Sequence, residues 1–80
     1  MFINKAKDGK NNLCGVKIAK KRKELGISQR ELADRLQLIG LDVDKNAIQR
    51  IECGKRFVTD IELKALSETL KITVRDLLSL

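Results

Sequence analysis

Several residue types that carry chemistry are missing or scarce in this chain. Its 80 residues include no histidine, proline, tryptophan or tyrosine, and only two cysteines, Cys14 and Cys53. Two separated thiols without histidine give neither a disulfide scaffold nor a zinc ligand set. The lack of a histidine base and of a glycine-rich phosphate loop argues against catalysis. We therefore expect two reduced thiols, no metal or cofactor, and no enzymatic activity.

Long apolar runs are absent as well. Hydrophobic residues make up 42% of the chain, but they occur in short groups, and none approaches the ~20 residues that span a bilayer. Residues 1–12 are polar and lack the apolar stretch and cleavage site of a signal peptide. These features predict one small cytoplasmic domain with no membrane partner and no evident small-molecule ligand.

Positive charge is the first feature that points to a partner. Lys and Arg outnumber Asp and Glu by 17 to 11, which gives a formal net charge of +6. This excess suits a polyanion such as DNA, although small domains are also charged for solubility alone. An anionic membrane surface is a weaker alternative because no predicted helix pairs a basic face with a broad apolar one. The basic residues cluster at Lys5, Lys7 and Lys10, at Lys17, at Lys20 to Lys23, and at Lys55 and Arg56.

The first part of the chain predicts a basic arm followed by a helix. Residues 1–12 are rich in Asn, Lys and Gly, which is typical of a flexible segment. A helix is expected from about residue 13 to 25, with Val16, Ile18, Ala19 and Leu25 directed toward a core. Gly26 then occupies the position at which glycine commonly ends a helix.

Capping residues predict four further helices. Ser28 and Thr59 are each followed three residues later by glutamate, which is the capping-box pattern. Asp44 and Thr73 suit the N-cap of two other helices. The expected helices are residues 28–36, residues 45–52 ahead of Gly54, one through Leu63, Leu66 and Leu70, and a short one through Leu77 and Leu78. A connector, Gln37–Val43, separates the first two of them.

The predicted helix at residues 45–52 has two different faces. Ile48 and Ile51 are three residues apart, so they share one side and are expected to point inward. The remaining polar side chains can bond base edges, since Arg and Lys suit guanine while Asn and Gln suit adenine. An exposed helix face is often polar without any function, but this one is rich in hydrogen-bond donors. The side chains expected to point outward are Lys45, Asn46, Gln49 and Arg50.

Two motifs together resemble a known family. Ser-Gln-x-Glu-Leu-Ala begins at Ser28 and Ile-x-x-Ile-Glu-x-Gly-Lys-Arg begins at Ile48, with Arg22 and Gly26 upstream. From residue 18 to 78 the chain is similar to the Cro/repressor-type (XRE-like) helix-turn-helix family. The resemblance implies an all-α, compact five-helix phage-repressor-like DNA-binding domain. Its turn is lengthened, because Gln37–Val43 exceeds the common form. We expect an arm at residues 1–12 and the helix-turn-helix domain at residues 13–80.

The resemblance also implies roles for individual residues. At the matching positions, DNA bases would be contacted by Lys45, Asn46, Gln49 and Arg50; DNA phosphates by Gln29, Lys55 and Arg56; and a structural ion pair would join Arg22 to Glu52. No role for a metal or cofactor is implied.

The function predicted from these features is sequence-specific binding of double-stranded DNA by a small bacterial or phage transcriptional regulator. Such a repressor acts by occupying its operator, and the family leads us to expect a homodimer on a palindromic site. The alternative is a protein-interaction module, or an antitoxin-like partner, that uses the same helical fold. Two features stay open. The arm either follows the minor groove or is a tail, and Leu77, Leu78 and Leu80 either close the core or contact a second copy.

Overall fold

Five short helices surround one core. A computed structural model describes residues 9–78, and within this range it contains no strand. The all-α, five-helix prediction is therefore confirmed. The helices are α1 (Gly15–Glu24), α2 (Gln29–Leu38), α3 (Lys45–Glu52), α4 (Asp60–Leu70) and α5 (Val74–Leu78).

The first helix starts later than expected, and two of its predicted core residues are exposed. Val16 is 60% exposed and Leu25 is 40% exposed, whereas Ile18 is fully buried. Residues two apart on a helix point in nearly opposite directions, so Val16 and Ile18 cannot both face the core. Leu25 lies at the C-cap, outside the helix, and Gly26 follows it with a φ of +71°. The glycine stop was predicted correctly.

The second helix extends past its predicted end at Leu36 to Leu38, so the connector to α3 comprises residues 39–44. The Ser28 hydroxyl accepts a hydrogen bond from the Glu31 N–H at 3.0 Å. The second half of the expected capping box is missing, because the Glu31 carboxylate pairs with Arg35 instead. Within the connector, Val43 is buried and Leu41 packs against the core. Leu38, the last residue of α2, is 86% exposed.

The core lies where α1, α2, α3 and α4 meet. Its members come from every helix, since the apolar residues of each recur at helical spacing and share one side. Burying each of the large ones stabilises the fold by about 1.5–3 kcal/mol. The fully buried large side chains are Ile18, Leu32, Leu36, Ile48, Ile51, Leu66, Leu70 and Leu77.

The last two helices are capped as the sequence predicts. The Thr59 hydroxyl accepts from the Glu62 N–H, and the Glu62 carboxylate accepts from the Thr59 N–H, which completes a capping box. Thr73 caps α5 by accepting from the Asp76 N–H at 3.0 Å. Leu77 is fully buried and closes the core beside α4. Leu80, the other candidate for a dimer contact, lies outside the described residues.

The last two residues of the predicted arm, Asn11 and Asn12, are bonded to the folded domain. Both are hydrogen-bonded to the backbone of the last turn of α3 or of the loop after it, over sequence separations of 39 to 44 residues. These two residues belong to the folded part of the chain. Residues 1–8, which include Lys5 and Lys7, lie outside the described residues.

Candidate nucleic-acid interface

The third helix separates an apolar side from a polar side. Ile48 and Ile51 are buried in the core, and Asp44 caps the helix by accepting from the Ala47 N–H at 2.8 Å. The cap and the two isoleucines fix the start of the helix and its rotation about its own axis. Four side chains are left exposed, as the sequence predicts: Lys45, Asn46, Gln49 and Arg50.

An ion pair connects α1 to the end of α3. The Arg22 guanidinium donates from Nε to Glu52 Oε2 at 2.7 Å and from Nη2 to Glu52 Oε1 at 3.1 Å. The side chains are only 11% and 8% exposed, respectively. Arg22 also donates from Nη1 to the carbonyl of Ile27 at 2.9 Å. Hydrogen bonding to Glu52 raises the pKa of Arg22 above its ordinary value, so the guanidinium stays charged.

Gln29, the first residue of α2, joins this cluster. Its side-chain Nε2 donates to Glu52 Oε1 at 3.0 Å. A primary amide has two N–H donors, and the bond to Glu52 uses one of them. The structure thus places Gln29 at the junction of the first turn of α2 and the last turn of α3. A phosphate contact would use the second N–H.

The loop after α3 gives its two basic residues different surroundings. Lys55 is exposed, and its backbone N–H donates to the carbonyl of Arg50 at 2.9 Å. Arg56 is partly buried and donates from Nη2 to Glu62 Oε2 at 2.8 Å. The sequence predicts a phosphate contact for Arg56, whereas the structure pairs this residue with Glu62. The one feature of the sequence that could have indicated this ion pair is that Glu62, a capping-box glutamate, follows Arg56 by six residues.

The pKa of Glu62 is set by opposing effects. Burial of the carboxylate acts to raise it, but hydrogen bonds from the Arg56 guanidinium and the Thr59 N–H lower it more. The pKa of Glu62 is therefore lower than its ordinary value. Glu62 stays ionised beneath the loop and holds Arg56 there.

The two thiols are unlike each other. Cys14 is buried at the N-cap of α1, and burial raises the pKa of its thiol. Cys53 is exposed at the C-cap of α3, where its Sγ contacts the carbonyl of Arg50 at 3.6 Å. Both are free. Across residues 9–78, no cluster of three or more Cys, Asp or Glu side chains is suited to hold a metal ion.

Comparison with known families identifies this arrangement. A family profile described as helix-turn-helix matches residues 18–77. The chain belongs to the helix-turn-helix family. Helices α2 and α3, with the connector between them, lie within the matched residues and form the helix-turn-helix of this chain.

Solved structures that are similar to this chain include a repressor and a controller protein. The P22 c2 repressor, solved in complex with synthetic operator 9T in the presence of Tl+, is 30% identical. It has a TM-score of 0.71 over 84% of this chain and 94% of its own. The restriction-modification controller protein C.AhdI from Aeromonas hydrophila is 27% identical, with a TM-score of 0.68 over 79% of this chain and 84% of its own. No curated protein sequence matches. Among the described residues, no helix is long and apolar enough to cross a membrane.

Proposed function

We propose that this chain binds double-stranded DNA sequence-specifically through α3 and acts as a transcriptional regulator. The observation that carries the proposal is the division of α3 into two sides. Its isoleucines are buried, and its exposed side chains are two cations and two amides. Arg and Lys bond guanine O6 and N7, and Asn and Gln bond adenine N6 and N7. The P22 c2 repressor, which shares the fold, was solved on an operator.

Regulation would follow from occupancy. A domain seated on an operator excludes or recruits polymerase without altering the DNA chemically, and the net charge of +6 favours association with the phosphate backbone. We propose that the chain acts as a homodimer, since helix-turn-helix dimers bind half-sites about 10–10.5 base pairs apart. A palindromic site would then reflect the two-fold symmetry of the protein.

The contacts divide into two classes with different consequences. We assign base contacts to Lys45, Asn46, Gln49 and Arg50, and phosphate contacts to Gln29 and Lys55. Base contacts determine sequence preference, whereas phosphate contacts fix position and supply affinity for any duplex. Arg56 is a weaker candidate for a phosphate contact, because its guanidinium is bonded to Glu62.

A protein-interaction module built on the same fold would need a different α3. A helix that binds a partner in a groove presents apolar anchors at helical spacing. The large apolar side chains of α3, Ile48 and Ile51, are both buried, and its remaining aliphatic residue, Ala47, packs against the core. The polar side of α3 therefore favours DNA over a protein partner.

The test begins with selection of bound sites from a pool of random duplexes. Affinity for the selected operator and for random DNA is then measured for Arg50→Ala and Lys55→Ala. Lys64→Ala is the matched control, since it removes one exposed positive charge from α4.

We expect Arg50→Ala to weaken operator binding by about 1–3 kcal/mol and to relax sequence preference at one base position, so that the operator-to-random affinity ratio falls. Lys55→Ala should weaken binding to both duplexes equally and make the fall of log K with log salt less steep by about 0.9 per subunit. Lys64→Ala should leave the ratio unchanged. Equal losses on both duplexes for Arg50→Ala would contradict its assignment to a base, and failure to retain any duplex would refute the function.

A further inference from the structure

The side chain of Asn12 connects three separate parts of the chain. Its Nδ2 group donates to the carbonyl of Ile51 in the last turn of α3 at 3.1 Å, and to the carbonyl of Arg56 in the following loop at 2.8 Å. Its Oδ1 accepts from the N–H of Gly15, the first residue of α1, at 2.8 Å. A primary amide has two N–H donors and one carbonyl acceptor, so both polar atoms of the Asn12 side chain are bonded.

Asn11 continues the same contact along the loop. Its backbone N–H donates to the carbonyl of Gly54 at 2.8 Å, and its Nδ2 donates to the carbonyl of Lys55 at 3.0 Å. The carbonyls of three consecutive residues, 54 to 56, therefore all accept from the two asparagines. The loop that follows α3 is held along its length by the residues that precede α1.

Two glycines allow close packing around these hydrogen bonds. A Cβ at Gly15 would overlap the carbonyl oxygen of Ile51, so the start of α1 lies directly against the end of α3. At Gly54, a Cβ would come within 2.7 Å of the Lys10 side-chain methylenes. The approach of α1 to α3 at Gly15 is a backbone contact that depends on glycine, and the Asn12 amide bonds across it.

These contacts hold the backbone of Lys55 from two directions. Its N–H donates to the carbonyl of Arg50 on α3, and its carbonyl accepts from Asn11. Asn12 bonds the residues on either side of this segment, at Ile51 and Arg56. The position of Lys55 relative to the exposed side of α3 is therefore determined by the asparagine contacts as well as by the helix itself.

We propose that Asn12 is a positioning residue for DNA binding. It sets the spacing between the base-reading side of α3 and the phosphate-contacting Lys55. The inference rests on the proposed function, because the spacing matters only if both groups engage one duplex. Phosphate contacts fix the register of a protein on DNA, so a loop that shifts relative to α3 cannot satisfy phosphate and base contacts together. Alanine at residue 12 removes all three bonds without touching a DNA-contacting side chain.

The binding experiment compares Asn12→Ala with Thr73→Ala on the selected operator and on random DNA. Thr73→Ala removes the cap of α5, which costs stability of about 1 kcal/mol away from α3. Binding of both variants is measured at a temperature at which circular dichroism shows them fully folded. If Asn12→Ala does not fold, Asn12→Ser replaces it in the experiment, because the serine hydroxyl can still accept a hydrogen bond from the Gly15 N–H.

We expect Asn12→Ala to lose on the order of tenfold in operator affinity, equivalent to about 1.4 kcal/mol. Its operator-to-random ratio should fall, because base and phosphate contacts can no longer be made together on the operator. The fall of log K with log salt should become less steep by up to about 0.9 per subunit, because the Lys55 contact is lost. Thr73→Ala should bind as the wild type does. If folded Asn12→Ala has the affinity and salt slope of Thr73→Ala, the role is structural only and the inference is overturned.

Amide hydrogen exchange of the DNA-free protein tests the same inference independently. We expect the Lys55 amide to exchange at least tenfold faster in Asn12→Ala, with the Leu70 amide of α4 unchanged. Equal acceleration at both sites would show global destabilisation and would overturn the inference. The two failures are distinguishable: a wild-type protein that retains no duplex refutes the proposed function, whereas a wild-type protein that binds no better than Asn12→Ala refutes the positioning role.

Discussion

Replacing Glu52 with alanine removes the acidic partner of a nearly buried ion pair. In the wild type, the Glu52 carboxylate accepts from Arg22 Nε, Arg22 Nη2 and Gln29 Nε2 at 2.7, 3.1 and 3.0 Å. After the substitution, Arg22 keeps only its bond to the Ile27 carbonyl. Its charge would remain in a site that leaves 11% of the side chain exposed. The guanidinium then has no carboxylate partner, and its burial keeps it from being fully hydrated.

The expected cost follows from that burial. Removing one member of a buried pair destabilises a protein by about 3–5 kcal/mol, because the other charge is left uncompensated. An exposed pair would cost about 0–1 kcal/mol. With both side chains about nine-tenths buried, we expect Glu52→Ala to lower the free energy of unfolding by about 3 kcal/mol. Arg22→Ala should cost a similar amount.

Urea denaturation followed by circular dichroism measures this loss, and a double-mutant cycle isolates the pair. If both partners are replaced by methionine, no charge is stranded, so most of the lost stability should return. Raising the salt concentration from about 0.1 to 1 M should leave the coupling energy nearly unchanged, since buried pairs are weakly screened. A loss below about 1 kcal/mol for each single substitution, or a coupling energy that vanishes in salt, would refute the reasoning.

Two further predictions concern packing and pH. Gly15→Ala should destabilise the fold by at least about 2 kcal/mol, because the new Cβ would overlap the Ile51 carbonyl. At an open helix position the same substitution stabilises by about 0.5–1 kcal/mol. An increase in melting temperature would contradict the close approach at Gly15. The pKa of Glu62 is lowered from its ordinary value of 4.5, so its contribution to stability is present above about pH 4.5 and is lost as pH falls through the folded-state pKa. The free energy of unfolding of Glu62→Gln should lack this part of the pH dependence. If its acid-unfolding curve runs parallel to that of the wild type, Glu62 makes no such contribution.

The helix boundaries show which sequence signals are reliable. α3 was predicted at residues 45–52 and is found there, because Asp44 and Gly54 mark both of its ends. α2 extends past its predicted end at Leu36, since the residues that follow contain no helix stop until Gly40. Local capping chemistry determines an end only where a strong cap is present.

The part of the candidate site that could be predicted is likewise the part determined by local sequence. The exposed side of α3 follows from the spacing of two isoleucines within one helix, so the sequence alone could separate inward from outward residues. The partner of Arg56 could not be predicted, because the polar face of a helix does not say which loop side chain will reach it. Glu62 serves both as the capping residue of α4 and as the partner of Arg56.

By itself, the sequence determined the five-helix class, the caps and the polar side of α3. These are properties of short segments, in which apolar spacing and side-chain capping act over three or four residues. Only the tertiary structure decided that Asn11 and Asn12 hold the end of α3, because those bonds join residues 39 to 44 apart in sequence. A polar asparagine before a helix resembles any loop residue until folding brings distant carbonyls within reach. The spacing between α3 and Lys55 therefore depends on contacts that no local pattern encodes.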